Sequence, residues 1–266
     1  MRFRAPPRAA VPSTCFDHPV FAAFQHWRGW LEGRDWPSCA DLERAAAAQG
    51  LPLRFVEQSP GLLADGLHYE QRIAEGRGIA TRAENWHDLL NALIWLRWPA
   101  IKRAMNARQV ADVERLGSKQ RSRAQQALTH FDEAGVLVLL RDDALLCRWD
   151  AHAWDRLFPA LAPGDFAIVP IGHALLEHAL DPERLLVGKA LVLIDAALHV
   201  DKAVEQLAQS IAAGQRLQDP QEMRPLPLMG LPGWHPRGGE PAFCREAACF
   251  QPVRPGRRYP DPLRVP

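Results

Sequence analysis

The spacing of apolar residues along the chain predicts a protein built mainly of helices. In HPVFAAFQHWRGWLE, Val20, Phe24, Trp27 and Leu31 recur every three or four residues, which is the period of a helix face. The alanine-rich CADLERAAAAQG ends at Gly50, a residue that suits a helix C-terminus. Helical patterns also cover residues 82–98, the segment that starts at Pro99, SRAQQALTHFDEAG, GHALLEHAL and DKAVEQLAQSIAAG.

Short runs of β-branched residues and leucine predict a few strands between these helices. They are LPLRFVEQ, VLVLL at 136–140, FAIVPI at 166–171 and GKALVLI. Helical segments outnumber strands. We therefore expect an α+β fold: a predominantly helical single domain with a small sheet and an extended proline-rich C-terminal segment.

The two ends of the chain differ in composition from its middle. From Pro220 onward, 47 residues hold 11 of the 23 prolines, and this density predicts extended chain that wraps the domain. Residues 1–11 carry three arginines and no acid. We expect a basic N-terminal tail at 1–11, a globular α+β domain at 12–219, an extended wrapping segment at 220–250, and a basic, proline-rich, disordered tail at 251–266.

Composition and cysteine usage indicate a cytoplasmic protein with no membrane partner. The chain is 47% hydrophobic and 24% charged, and no apolar run approaches the roughly 18–20 residues that a membrane span needs. The N-terminus has no apolar region of the kind found in secretory signals. The five cysteines form no C-x-x-C pair, so we expect reduced thiols.

One stretch, TRAENWHDLLNALIWLRWP at 81–99, combines many polar and aromatic residues. Thr81 and Glu84 have the spacing of a capping box, which predicts a helix over about 82–98. One side of that helix would carry a polar stripe of Glu84, His87, Asp88, Asn91 and Trp95. Such a stripe is typical either of a solvated face or of the wall of a site.

Chemistry favours the wall of a site. His87 is a base that titrates near neutrality, and it lies beside a carboxylate and one turn from an amide. Asp132 and Glu133 lie at a helix-to-strand junction, where an Asx turn is an equally good interpretation. His173 and Glu177 are four residues apart after a strand, and they suit metal ligation or an ordinary i, i+4 pair.

Several segments together resemble a known family. They are YEQRIAEGRGIATRAENWHDLLNALIWLRWPAIKRAMN, LTHFDEAGVLVL, GHALLE, GKALVL and PLPLMGLPGW, spanning roughly residues 50–240. They resemble the bacterial family known as domain of unknown function 3025, whose name supplies no activity. The resemblance implies that a set of polar positions forms a site rather than part of the core. These positions are Tyr69, Glu70, Thr81, Arg82, Asn85, His87, Asp88, Asn91, Asp132, Glu133, His173 and Glu177. Where the family often has an asparagine after the acidic pair, this chain has Ala134.

We expect a hydrolase-like enzyme whose histidines and carboxylates hold a divalent metal ion, which such ligands suit. The substrate would be a small molecule or a phosphate-bearing ligand. The predicted catalytic residues are His87, Asp88, Asn91, Asp132 and Glu133. The predicted substrate-binding residues are Tyr69, Glu70, Arg82, Asn85 and Trp95. The predicted metal ligands are His173 and Glu177.

Two other functions are compatible with the sequence. Residues 97–123 hold eight basic residues against Asp112 and Glu114, so this basic stretch could bind a phosphate-bearing partner or, less favoured, nucleic acid. The proline-rich tail could also bind a protein partner. The sequence selects neither the substrate nor the identity of the metal.

Overall fold

The N-terminal part of the chain is helical and carries a small two-stranded sheet. A computed structural model describes residues 3–117, 120–162 and 164–264. After 3-10 turns at Arg8–Ala10, Ser13–Asp17 and Pro19–Trp27 come helices α1 (Arg28–Glu32), α2 (Cys39–Ala48), α3 (Pro60–Leu63) and α4 (Tyr69–Ala74). Strand β1 (Phe55–Glu57), within the predicted strand LPLRFVEQ, pairs in parallel with β2 (Ile79–Thr81).

Three longer helices follow and form the centre of the helical layer: α5 (Trp86–Arg97), α6 (Pro99–Leu116) and α7 (Arg123–Ala134). Pro99 begins α6, where its missing N–H costs no hydrogen bond. The side chain of Ser122 caps α7 in a reciprocal pair with Gln125.

The predicted start of α5 is wrong by four residues. Thr81 belongs to β2, and Glu84 has a φ of 51°, so neither can form the capping box. The helix is capped instead by Asn85, whose side chain accepts a hydrogen bond from the backbone N–H of Asp88.

A mixed sheet packs against these helices. Its strands are β3 (Gly135–Leu140), β4 (Phe166–Pro170), β5 (Val187–Ile194), β6 (Arg224–Pro227) and β7 (Leu263–Arg264). The order is β4-β3-β5-β6, with β7 paired to β5. Every residue of β3 is buried, because β3 lies between β4 and β5. The prolines of β6 are tolerated since this strand is at an edge.

The remaining helices connect and cover the strands. They are α8 (Leu146–Asp150), α9 (Trp154–Leu157), α10 (His173–His178), α11 (Val200–Ala212) and α12 (Pro241–Glu246). Helix α11 packs on α6. The predicted α+β class, helical with a small sheet, is confirmed. Among the described residues, no helix is long and apolar enough to span a membrane.

The terminal segments make specific contacts with the rest of the fold. Arg8 donates to the carbonyl of Gly33, and its guanidinium lies over the ring of Trp36. At the other end, the ring of His152 contacts the carbonyl of Gln251 and the hydroxyl of Tyr259. Segment 220–250, expected to be extended, includes β6 and α12, and β7 lies in the segment expected to be a disordered tail.

Candidate functional site

A polar cavity of about 300 Å³ lies among the helices on one side of the main sheet. Helices α4, α5, α6 and α7 supply most of its walls, and the first residue of α10 reaches it. Its lining includes many of the predicted site residues: Tyr69, Glu70, Arg82, His87, Asp88, Asn91, Trp95, Asp132, Glu133 and His173. The polar stripe of α5 therefore faces this cavity, apart from Glu84, which lies in the turn before the helix.

Three of these side chains converge at one point of the cavity wall. His87, Glu133 and His173 each offer one ligand atom, and these atoms lie within 4.8 Å of one another. The Nε2 atoms of the two histidines are 2.9 Å apart, and Oε2 of Glu133 lies 4.0 Å from Nε2 of His173. We call these three residues the His–Glu–His cluster.

A close approach of two chain segments builds this cluster. His173 begins α10 directly after Gly172, and Glu133 is in the last turn of α7. A Cβ atom at Gly172 would lie 2.5 Å from the Cα of Ala134 and 2.5 Å from the carbonyl oxygen of Glu133. Only glycine, which has no Cβ atom, allows α10 to start this close to the end of α7. This close approach places His173 beside Glu133.

Each histidine of the cluster has a carboxylate behind it. Nδ1 of His87 is 2.8 Å from Oε2 of Glu177, and Nδ1 of His173 is 3.7 Å from Oδ2 of Asp132. Glu177 therefore lies behind His87 and does not reach the cluster as a ligand would. The contact with Glu177 directs the Nδ1 proton of His87 toward a carboxylate and leaves Nε2 for the shared point, whereas the 3.7 Å between His173 and Asp132 exceeds hydrogen-bond length.

The two histidines have opposite pKa shifts. Burial lowers the pKa of His173 to about 4, so its ring is neutral near pH 7. The hydrogen bond with Glu177 raises the pKa of His87, against the opposing effect of burial. Burial also raises the pKa of Glu133.

The contact between the two Nε2 atoms requires one proton between them. A protonated His87 supplies it while its Nδ1 donates to Glu177, and Nδ1 of His173 is then buried without a hydrogen-bond partner. A cation at the shared point would replace that proton by accepting the Nε2 lone pairs of both rings. The donor set of two imidazole nitrogens and one carboxylate thus fits a metal ion.

Lys102 is the residue of this site that sequence reasoning missed. It was counted within the basic stretch, yet its side chain is 4% exposed and lines the cavity. Its ammonium group donates to Asp132 and, at 2.9 Å, to Oδ1 of Asn91. Burial acts to raise the pKa of Asp132, but the charge and the hydrogen bond of Lys102 oppose it, and the pKa is lowered. No local signal in the sequence distinguished Lys102 from the other basic residues of this stretch.

Other predicted site residues contact groups away from the cluster. Asp88 accepts from the backbone N–H of Arg82 and, through both oxygens, from its guanidinium. Asn85 caps α5 and is not part of the cavity lining. Trp95 is 2% exposed and lines the cavity, and Glu70 accepts from the side chain of Asn106.

The basic stretch 97–123 does not present its charges as one free surface. Lys102 is buried, Arg115 pairs with Asp112, and Arg123 pairs with Asp219. The guanidinium of Arg97 lies 3.9 Å from the ring centre of Trp98. Lys119 of this stretch lies outside the described residues. These contacts do not favour the nucleic-acid alternative.

Comparison with known proteins identifies the family. The sequence model described as "Protein of unknown function (DUF3025)" matches residues 53–254. The chain belongs to the DUF3025 family. The resemblance expected over roughly 50–240 is thereby confirmed, and the DUF3025 segment contains the whole His–Glu–His cluster with Glu177, Asp132 and Lys102. No curated protein and no solved structure matches the chain.

Proposed function

We propose that this protein is a metal-dependent hydrolase that acts on a small polar substrate in the cavity. The observation that carries the proposal is the convergence of His87, Glu133 and His173 within 4.8 Å. Two histidines and one carboxylate with an open position form the ligand set of many catalytic zinc sites. The cavity of about 300 Å³ is at the lower end of the range for small-molecule sites.

In this proposal His87 is a metal ligand and not a free general base. Glu177, predicted as a ligand, instead orients His87 through a hydrogen bond with its Nδ1, and Asp132 lies near Nδ1 of His173 without a hydrogen bond to it. The carboxylate of Asp88 positions Arg82, and the side chain of Asn85 caps the first turn of α5.

Zn²⁺ is the ion that this donor set suits best, since neutral imidazole and carboxylate are its ordinary ligands. The same set with open positions also occurs with Fe²⁺, so the experiment must measure both metals. A divalent ion bound here would lower the pKa of a water ligand and polarise an oxygen of the substrate.

Hydrolysis also requires a group that moves a proton. The water oxygen bonds to the substrate, the bond to the leaving group breaks, and one proton passes from the water to the leaving group. We assign this transfer to the second carboxylate oxygen of Glu133, a side chain that is 43% exposed and accepts no hydrogen bond from the described residues.

The test is metal analysis of the full chain purified without a metal-chelating column. We expect about one zinc or iron per chain in the wild type, and loss of most of it in His87→Ala and His173→Ala. His199→Ala is the matched control, because His199 is 64% exposed and lies outside the cavity lining. Circular dichroism reports whether each variant folds.

Two results would contradict the proposal. The first is a folded wild type that neither contains metal nor takes up zinc or iron when either is added. The second is that the His87→Ala and His173→Ala variants fold and still contain metal at the wild-type level.

We also propose the cytoplasm as the location, in keeping with five free cysteines.

A further inference from the structure

A directed chain of hydrogen bonds leads from Lys102 to Tyr69 along the cavity wall. Lys102 has only protons to donate, so the atom of Asn91 that it contacts at 2.9 Å must be the oxygen. This contact fixes the orientation of the Asn91 amide. The nitrogen Nδ2 of Asn91 then points to Tyr69 and donates to its hydroxyl at 2.8 Å.

The hydroxyl of Tyr69 is therefore an acceptor toward Asn91, and its own proton is left to donate elsewhere. The structure gives this proton no acceptor among the described residues, although Tyr69 lines the cavity. Burial raises the pKa of Tyr69, so the phenol keeps its proton at neutral pH. Tyr69 is partly buried, and a hydroxyl proton in the cavity needs an acceptor that a ligand can supply.

This free donor lines the same cavity as the His–Glu–His cluster. Asn91 and His87 are four residues apart on α5 and lie on the same face of the helix. Asn91, which donates to the Tyr69 hydroxyl, is therefore one helical turn from the proposed metal ligand His87, with roughly 5–6 Å between their Cβ atoms. A substrate oxygen between the Tyr69 hydroxyl and the cluster could contact both.

Building on the proposed function, we infer that Tyr69 is a catalytic residue that donates a hydrogen bond to the carbonyl oxygen of an acyl substrate, an ester or an amide. When water adds to the carbonyl carbon, an electron pair moves onto this oxygen, and a donor already aimed at it stabilises the charge. Tyr69 keeps its proton throughout, so the proton balance of hydrolysis is unchanged.

The charges around the cavity favour acyl over phosphoryl substrates. Sites for phosphoryl transfer use arginine and lysine to neutralise several phosphate oxygens. Here the guanidinium of Arg82 is held by both oxygens of Asp88, and Lys102 pairs with Asp132. One neutral donor, Tyr69, matches the single oxygen that gains charge in acyl hydrolysis.

The experiment measures how cobalt-loaded protein binds acetohydroxamate, a small acyl analogue that ligates metals. Cobalt replaces zinc in such sites and gives a visible spectrum that reports ligand binding. We compare the wild type with Tyr69→Phe and with Tyr259→Phe. Tyr259 is the second of the two tyrosines, and its hydroxyl contacts His152.

We expect all three proteins to bind one cobalt ion, and Tyr69→Phe alone to bind acetohydroxamate about tenfold to hundredfold more weakly, the effect of losing a hydrogen bond to a charged group. Equal affinities in wild type and folded, cobalt-loaded Tyr69→Phe would overturn the inference and leave the metal site standing. A wild type that binds no cobalt would overturn both. Tight binding of inorganic phosphate that Tyr69→Phe leaves unchanged would overturn the acyl assignment.

Discussion

Glu177 shows how a residue can serve the cluster without touching the cavity. Its carboxylate is 2.8 Å from Nδ1 of His87, on the side of the ring that faces away from His173. From the sequence, Glu177 and His173 looked like a pair of ligands on one helix face. The structure instead pairs Glu177 with a ring on α5, a contact between residues 90 positions apart that spacing cannot predict.

Glu177→Gln should weaken metal binding while the fold is retained. The amide keeps the size of the side chain but removes the charge that makes His87 a stronger ligand, and such losses usually cost about 10–100-fold in affinity. Competition with a chromophoric chelator measures the zinc affinity. Glu183→Gln, at an exposed acid shortly after α10, is the control and should bind zinc as the wild type does. An unchanged affinity in Glu177→Gln would contradict the orienting role.

The burial of Lys102 could not be predicted from the sequence around it. Eight basic residues in 97–123 gave no sign that one of them is buried. Its burial depends on α4, α5 and α7 meeting α6, and no local pattern encodes that meeting. His87, Glu133 and His173 were predictable as candidates because their chemistry is unusual, but their grouping was not.

The close contact between α7 and α10 is the element-level feature on which the cluster depends. Gly172→Ala would place a methyl group 2.5 Å from the Cα of Ala134, between backbone atoms that cannot turn aside. We expect a loss of about 1–3 kcal/mol in the free energy of unfolding, typical of overpacking, measured by urea denaturation. We also expect weaker zinc binding, because α10 must move away from Glu133.

Gly29→Ala is the matched control for this substitution. Gly29 lies in α1, and a Cβ atom there would meet nothing within 4 Å. Alanine should therefore leave stability unchanged or raise it slightly, since it is the better helix former. Equal stability and zinc affinity in Gly172→Ala and the wild type would show that the approach of α7 and α10 tolerates a side chain.

Element types were more predictable than element ends. The runs 136–140, 166–171 and GKALVLI all contribute strands, because they are short and almost entirely apolar. The start of α5 was misplaced since Glu84 adopts a positive φ in the preceding turn. Strand β2 was missed: three residues between glycine and arginine carry too little pattern.

At the scale of the whole molecule, His18 links the N-terminal and C-terminal parts of the chain. Its Nδ1 accepts from the backbone N–H of Val20, and its Nε2 contacts the carbonyl of Trp234 at 2.9 Å. Burial lowers the pKa of His18 below its ordinary value of 6.5, despite the hydrogen bond to Trp234. The folded state therefore holds this ring neutral.

The pH dependence of stability follows from this shift. Between the lowered pKa and 6.5, the unfolded chain binds a proton at His18 that the folded chain does not, so the free energy of unfolding falls as the pH falls through this interval. His18→Gln should make the decline between pH 7 and pH 5 shallower than in the wild type, as measured by urea denaturation at each pH. The exposed His199→Gln should leave the slope unchanged, and a slope that both variants share would refute the assignment.

The cluster residues are far apart along the chain, so the cluster forms only when the chain has folded. His87 and His173 are 86 positions apart, and Glu133 lies between them on a different helix. The three donors meet only in the folded structure, where β4 pairs with β3 and α10 starts against the end of α7. In the proposed function the metal ion would therefore bind the folded chain, because the loops between the donors must close before the ligand set exists. Metal content would then report the fraction of folded molecules.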